Sequence, residues 1–139
     1  MIRISESAKK VIAEHAIRDF PNECVGFFYG SDNGERTIIE AKIVKNSKEG
    51  DQRRRFEISP KTYMDAEKFA LENNMDLLGV YHSHPLHPAI PSEHDRKQAV
   101  PYFSYIIVSE NKNREVTEFT SWRLNEEQQF EEETINEIK

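Results

Sequence analysis

Leu77-Leu78-Gly79-Val80-Tyr81-His82 is a continuous apolar run that ends on His82-Ser83-His84-Pro85, and no other stretch restricts the fold as tightly. A short run of this kind suits a central strand. Successive side chains on a strand alternate, which sends His82 and His84 to one face and Ser83 to the other. Pro85, Pro88 and Pro91 then exclude regular structure and stiffen the path that leaves the strand. Ser92-x-x-Asp95 follows, a capping-box pattern that opens a helix. That helix start is also a rigid place from which Asp95 could meet the two imidazoles. Two histidines and a carboxylate are zinc-ligand types, and three protein ligands leave a tetrahedral position for water, as in catalytic sites. His87 and His94 are spare candidates for metal or substrate contact, with exposed histidines as the plainer reading.

The rest of the chain alternates helix and strand signals. Ala8, Val11, Ile12, His15 and Ala16 recur at helical spacing, so Ser5–Phe20 reads as a helix with Ser5 as N-cap and His15 at the core edge. Pro21-Asn22 break it. Cys24–Gly30 reads as a buried strand closed by Ser31-Asp32-Asn33-Gly34, with Thr37–Val44 as its hairpin partner. Asn46–Arg55 is polar and is expected as an exposed loop. Ser59-Pro60 starts a helix running to about Asn74. Tyr102–Ser109 and Glu115–Trp122 are expected as strands, and Glu126–Ile138 as an acidic helix. The whole predicts one domain over residues 1–139, an α/β (α+β) fold with a central mixed sheet flanked by helices.

Composition removes several classes. A formal charge of −6 argues against a general nucleic-acid binder. No apolar run approaches the roughly 20 residues of a membrane span, and Met1–Glu6 lacks a secretory apolar segment, so a cytoplasmic protein is expected. The single cysteine, Cys24, rules out an internal disulfide framework and a four-cysteine zinc site. It reads as a small buried residue rather than a nucleophile. The His-Glu-x-x-His pattern is missing, and the zinc deaminase pattern needs cysteines this chain lacks. The run Arg53-Arg54-Arg55 reads as a solvated loop, with an acidic partner surface as the functional alternative.

His82-Ser83-His84-Pro85 with Ser92-x-x-Asp95 resembles the signature of the JAMM (MPN-type) zinc metalloisopeptidases, matching its spacing at every position. The similarity extends to Pro21–Gly30, to Arg53–Pro60 and to Tyr105–Ser109, so it covers nearly the whole chain. The family carries a glutamate at the start of a strand after its first helix, and Glu23 stands in that place. Read from sequence alone, Glu23 is a surface acid between a turn and a strand.

The resemblance implies an MPN fold of cytidine-deaminase-like architecture. It implies one Zn²⁺ per chain held by His82, His84 and Asp95, with Glu23 as general base and Ser92 steadying the oxyanion. Val80 departs from members that carry a bulky aromatic there. The short chain is similar to compact prokaryotic members, which act on the C-terminal Gly-Gly tail of ubiquitin-like sulfur-carrier proteins or their conjugates. The implied function is therefore a zinc metallopeptidase or isopeptidase, with no nucleic-acid or membrane partner. The alternatives are a non-catalytic binding module of the same fold and a zinc hydrolase of small amides.

Overall fold

The computed structural model describes residues 1–53 and 55–138. Its elements are β1 (Ile2–Ser5), α1 (Glu6–Asp19), β2 (Val25–Asp32), β3 (Arg36–Val44), α2 (Pro60–Glu72), β4 (Asp76–Pro85), α3 (Glu93–Gln98), β5 (Ser104–Glu110), β6 (Val116–Leu124), β7 (Phe130–Glu133) and β8 (Ile135–Ile138). Among the described residues the strands form one sheet in the order β7-β6-β5-β4-β2-β3-β1-β8. The sheet is mixed. β4 runs parallel to β5, reached through α3, and antiparallel to β2, while β1 lies parallel to β3 and to β8. The expected mixed sheet with flanking helices is the observed architecture, and β4 lies at its centre.

Helix starts follow local chemistry. Ser5 Oγ accepts from the Ala8 amide and Ser59 Oγ from the Thr62 amide, each satisfying a donor that has no partner inside its helix. α1 turns Ala8, Ile12, His15 and Ala16 inward onto one face of the sheet, with Ile2, Ile4, Phe28, Tyr81, Ile106 and Val108. α2 covers the other face with Ala66 and Ala70 against Val25, Phe27, Tyr29, Val80 and Tyr105. β4 therefore runs through a covered layer, which is why its sequence is apolar without alternation. Cys24 is fully buried and burial pushes its thiol up to about 12, as a small core residue requires. No helix among the described residues is long and apolar enough to cross a membrane.

Two expectations are corrected. Ile2–Ser5, of which only Ser5 carried an assignment, as the N-cap of the first helix, is a strand whose Ile2 and Ile4 are wholly buried. Glu126–Ile138, expected as an acidic helix, forms β7 and β8 instead, with Lys139 outside the described residues. Glutamate-rich composition favours a helix locally. Two unpaired strand edges outweigh that preference. β7 completes the ladder of β6, β8 completes that of β1, and the Ile2 amide donates to Thr134 O between them at 2.9 Å. One bent segment thus bridges both edges of the sheet, and Phe130 meets Tyr105 edge-on while Ile135 packs against the α1-side core.

Candidate metal centre

β4 presents Val80, His82 and His84 on the α2 side and Tyr81 and Ser83 on the α1 side, the alternation expected of a strand. Both histidines are buried, His82 wholly and His84 almost so. The proline-stiffened segment then carries the chain to Ser92, whose Oγ accepts from the Asp95 amide at 3.0 Å while Asp95 Oδ2 accepts from the Ser92 amide at 2.8 Å. The capping box is real, and the same carboxylate faces the histidines.

Three atoms form a nearly equilateral triangle. His82 Nε2 and His84 Nε2 are 3.2 Å apart, His82 Nε2 and Asp95 Oδ2 3.3 Å, and His84 Nε2 and Asp95 Oδ2 3.1 Å. A tetrahedral zinc with bonds of 2.0–2.1 Å would hold its ligands about 3.3 Å apart. Hydrogen bonding does not account for the edge between His84 and Asp95. His84 Nδ1 lies 2.8 Å from Pro88 O, which can only accept, so in the neutral ring Nδ1 carries the proton and Nε2 presents its lone pair. That lone pair faces the Asp95 carboxylate in a buried place, an arrangement that a cation relieves. Burial works against ionisation of Asp95. His82 beside it and the Ser92 amide outweigh burial and hold the carboxyl far below the usual range. The donor set fits a divalent ion.

Glu23 is not the surface acid that its local sequence suggests: it is 2% exposed. The Ser83 hydroxyl accepts from the Cys24 amide at 2.8 Å and the Ser83 amide donates to Cys24 O at 3.2 Å, tying Glu23's neighbour to the centre of β4. The Asn46–Arg55 loop folds over it, with the Glu23 amide donating to Gln52 O and Asn46 Nδ2 to Glu23 O. Glu23 Oε1 has no hydrogen-bond partner among the described residues. Burial pushes its pKa up to about 8, with His84 opposing, Asp95 adding to the rise and Arg55 opposing. A Glu23 oxygen, a His84 nitrogen and a His87 nitrogen lie within 4.8 Å of one another.

An open cleft beside the Ser92 cap is lined by Arg53, Arg55, Leu86, His87, Ser92 and His94. Arg54 lies outside the described residues. His87 stacks on the His84 ring at 4.2 Å between centroids. His94 stands apart from the triangle, with its Nδ1 3.2 Å from Arg55 Nη1, and burial together with Arg55 lowers its pKa. His15 donates to Asp19 and bonds the Tyr81 hydroxyl behind the sheet, a satisfied core-edge histidine as expected. Two parts of the site went unread in sequence. The Pro88 carbonyl that orients His84 has no sequence signature. Phe56, tilted on the His82 ring at 4.6 Å, was legible only as a lone aromatic closing a polar loop.

The chain is similar to several known proteins. It is 33% identical over 91 residues to a protein of Thermus thermophilus named a probable TtuB-protein conjugate cleaving protease, covering 63% of this chain and 58% of that one. The chain therefore spans less than two thirds of that relative. A desampylase of Haloferax volcanii is 32% identical over 108 residues, covering 77% of this chain and 76% of its own length. A solution structure of a protein from Desulfitobacterium hafniense superposes with a TM-score of 0.86 at 27% identity, covering all of this chain and 94% of that one. The family model describing prokaryotic homologs of the JAB domain matches residues 5–125, which span every element from α1 through β6 and all five candidate site residues. The chain belongs to that family.

Proposed function

We propose that this protein is a zinc-dependent isopeptidase that hydrolyses the amide bond at the C-terminal Gly-Gly tail of a ubiquitin-like carrier of the sulfur-carrier kind. The observation that carries the reading is the buried triangle of His82 Nε2, His84 Nε2 and Asp95 Oδ2, whose edges of 3.1–3.3 Å match the face of a zinc tetrahedron. His82, His84 and Asp95 would hold the ion. Zinc at such a site supplies an acidified water and a positive charge beside the developing oxyanion.

The chain's own residues divide the remaining work. Glu23 places its carboxyl group beside His84; a cation held by the triangle would oppose the rise that burial causes, and the ionised form would take a proton from water and return it to the leaving amine. Ser92 Oγ accepts from the Asp95 amide and lines the cleft, so its own proton is available to an oxyanion there. Phe56 and the α2-side core exclude bulk water behind His82. The names of the relatives support a ubiquitin-like conjugate as the substrate class, because both concern cleavage of such conjugates.

The test is metal analysis of the purified protein beside His84→Ala, paired with cleavage of a Gly-Gly carrier joined to a lysine peptide. The expected result is close to one zinc per chain, lost in the variant, with cleavage following the zinc. Zinc without cleavage of any conjugate would leave a binding module of this fold. Protein that takes up no zinc when supplied with it would remove the hydrolytic reading.

A further inference from the structure

A tail of two glycines offers an enzyme no side chain to hold, so only its main-chain N–H and C=O groups can be recognised. Its carbonyls need donors, and the two arginines that line the cleft differ in what they can give. Arg53 is forked onto Asp51, with Nε and Nη2 at 3.1 and 3.2 Å from the carboxylate. The Arg55 side chain is exposed, and its one hydrogen bond among the described residues runs from Nη1 to His94 Nδ1 at 3.2 Å. A guanidinium carries five N–H donors and keeps its charge in proteins, so most of the Arg55 donors are spare.

The arginine is also firmly mounted. Arg55 O accepts from Asn46 Nδ2 at 3.1 Å, and the next residue, Phe56, is buried against the His82 ring. Phe56 thus turns inward to one candidate ligand while Arg55 comes out into the cleft. An arginine can only donate, so His94 Nδ1 accepts, and the bond ties the Asn46–Arg55 loop to α3 beside Asp95. Arg55 is also near enough to Glu23 to oppose the rise that burial causes there. We propose that Arg55 is a substrate-contacting residue, whose spare N–H groups donate to a main-chain carbonyl oxygen of the tail and set its register along the cleft. This rests on the isopeptidase reading above.

The experiment is a cycle between protein and substrate. The carbonyl preceding the two glycines and that of the first glycine are replaced one at a time by a thiocarbonyl, whose sulfur is a weak acceptor. Each conjugate is cleaved by the parent, Arg55→Met and Arg55→Lys. Methionine keeps an apolar stem without donors, and lysine keeps the charge without the planar fork. In the parent, one of the two replacements is expected to lower kcat/KM about tenfold, the worth of a charged donor's bond weakened near the reacting centre. Arg55→Met is expected to lose about tenfold on the unmodified tail and to be nearly indifferent to that same replacement. Arg55→Lys should recover part of the loss, with zinc content and urea midpoint unchanged in both variants. Penalties that multiply in full, or an Arg55→Met variant as active as the parent, would overturn the role of Arg55 while leaving the isopeptidase reading standing. So would a loss in Arg55→Met that vanishes once the carrier's acidic side chains are replaced by amides, because the arginine would then be meeting a carboxylate. A zinc-loaded parent that cleaves none of the conjugates would overturn that reading and this one together.

Discussion

Glu23 and Glu110 are both buried carboxyls, and their surroundings separate them. Glu23 sits beside His84 and under Asn46, where replacing its carboxyl should leave the candidate ligand triangle intact. Glu23→Gln is therefore expected to keep zinc and lose turnover by about a hundredfold or more, measured as metal content beside kcat. Loss of zinc in that variant would make Glu23 a ligand. Glu110, at the end of β5, is 1% exposed, and neither of its carboxyl oxygens has a hydrogen-bond partner among the described residues. Burial pushes it up to about 7, with Arg114 opposing and Asp19 adding to the rise. Its pKa is raised on folding, so the folded state loses stability as pH climbs from the ordinary glutamate value of 4.5 through about 7. Glu110→Gln is expected to stabilise the protein by about 2 kcal/mol near pH 8 and to be close to neutral near pH 4 in denaturant melts. Equal effects at both pH values would contradict that account.

At the scale of elements, β4 shows what a short apolar run can reveal. Its strand character, its central place and the shared face of His82 and His84 were legible in six residues and a period of two. Its close neighbours were not. A Cβ on Gly79 would stand 1.8 Å from Ser104 O and 2.6 Å from Phe28 Cζ, so the β4–β5 ladder closes only over glycine. Gly79→Ala is expected to cost about 3 kcal/mol in unfolding free energy, because the obstacle is backbone that cannot swing aside. α3 was legible for a different reason. Its Ser92 cap and Asp95 are three residues apart, within the reach of local pattern. What that pattern could not show is that Asp95 Oδ2 serves the Ser92 amide and the two imidazoles at once. The burial of Glu23 was illegible too, since Asn46 and Gln52, more than twenty residues onward, close over it.

Across the whole molecule the 130–138 segment decides how the sheet ends. Residues 130–133 pair with β6 and residues 135–138 with β1, on opposite edges. Deleting residues 130–138 is expected to lower unfolding free energy by about 3 kcal/mol, since Phe130 and Ile135 leave their packing and two ladders reopen. Zinc stoichiometry should survive the deletion, because the triangle is carried by β4 and α3. A truncated chain as stable as the parent in urea would mean the bridge contributes nothing. The sequence by itself determined the candidate ligand types, their spacing, the strand that mounts two of them and the helix start that mounts the third, all features of periodicity and capping over a few residues. Tertiary structure decided the closing of the His82–His84–Asp95 triangle, the burial of Glu23 and the conversion of a glutamate-rich tail into two strands. Each of those depends on backbone groups distant in sequence, whose unsatisfied hydrogen bonds outweigh local propensity.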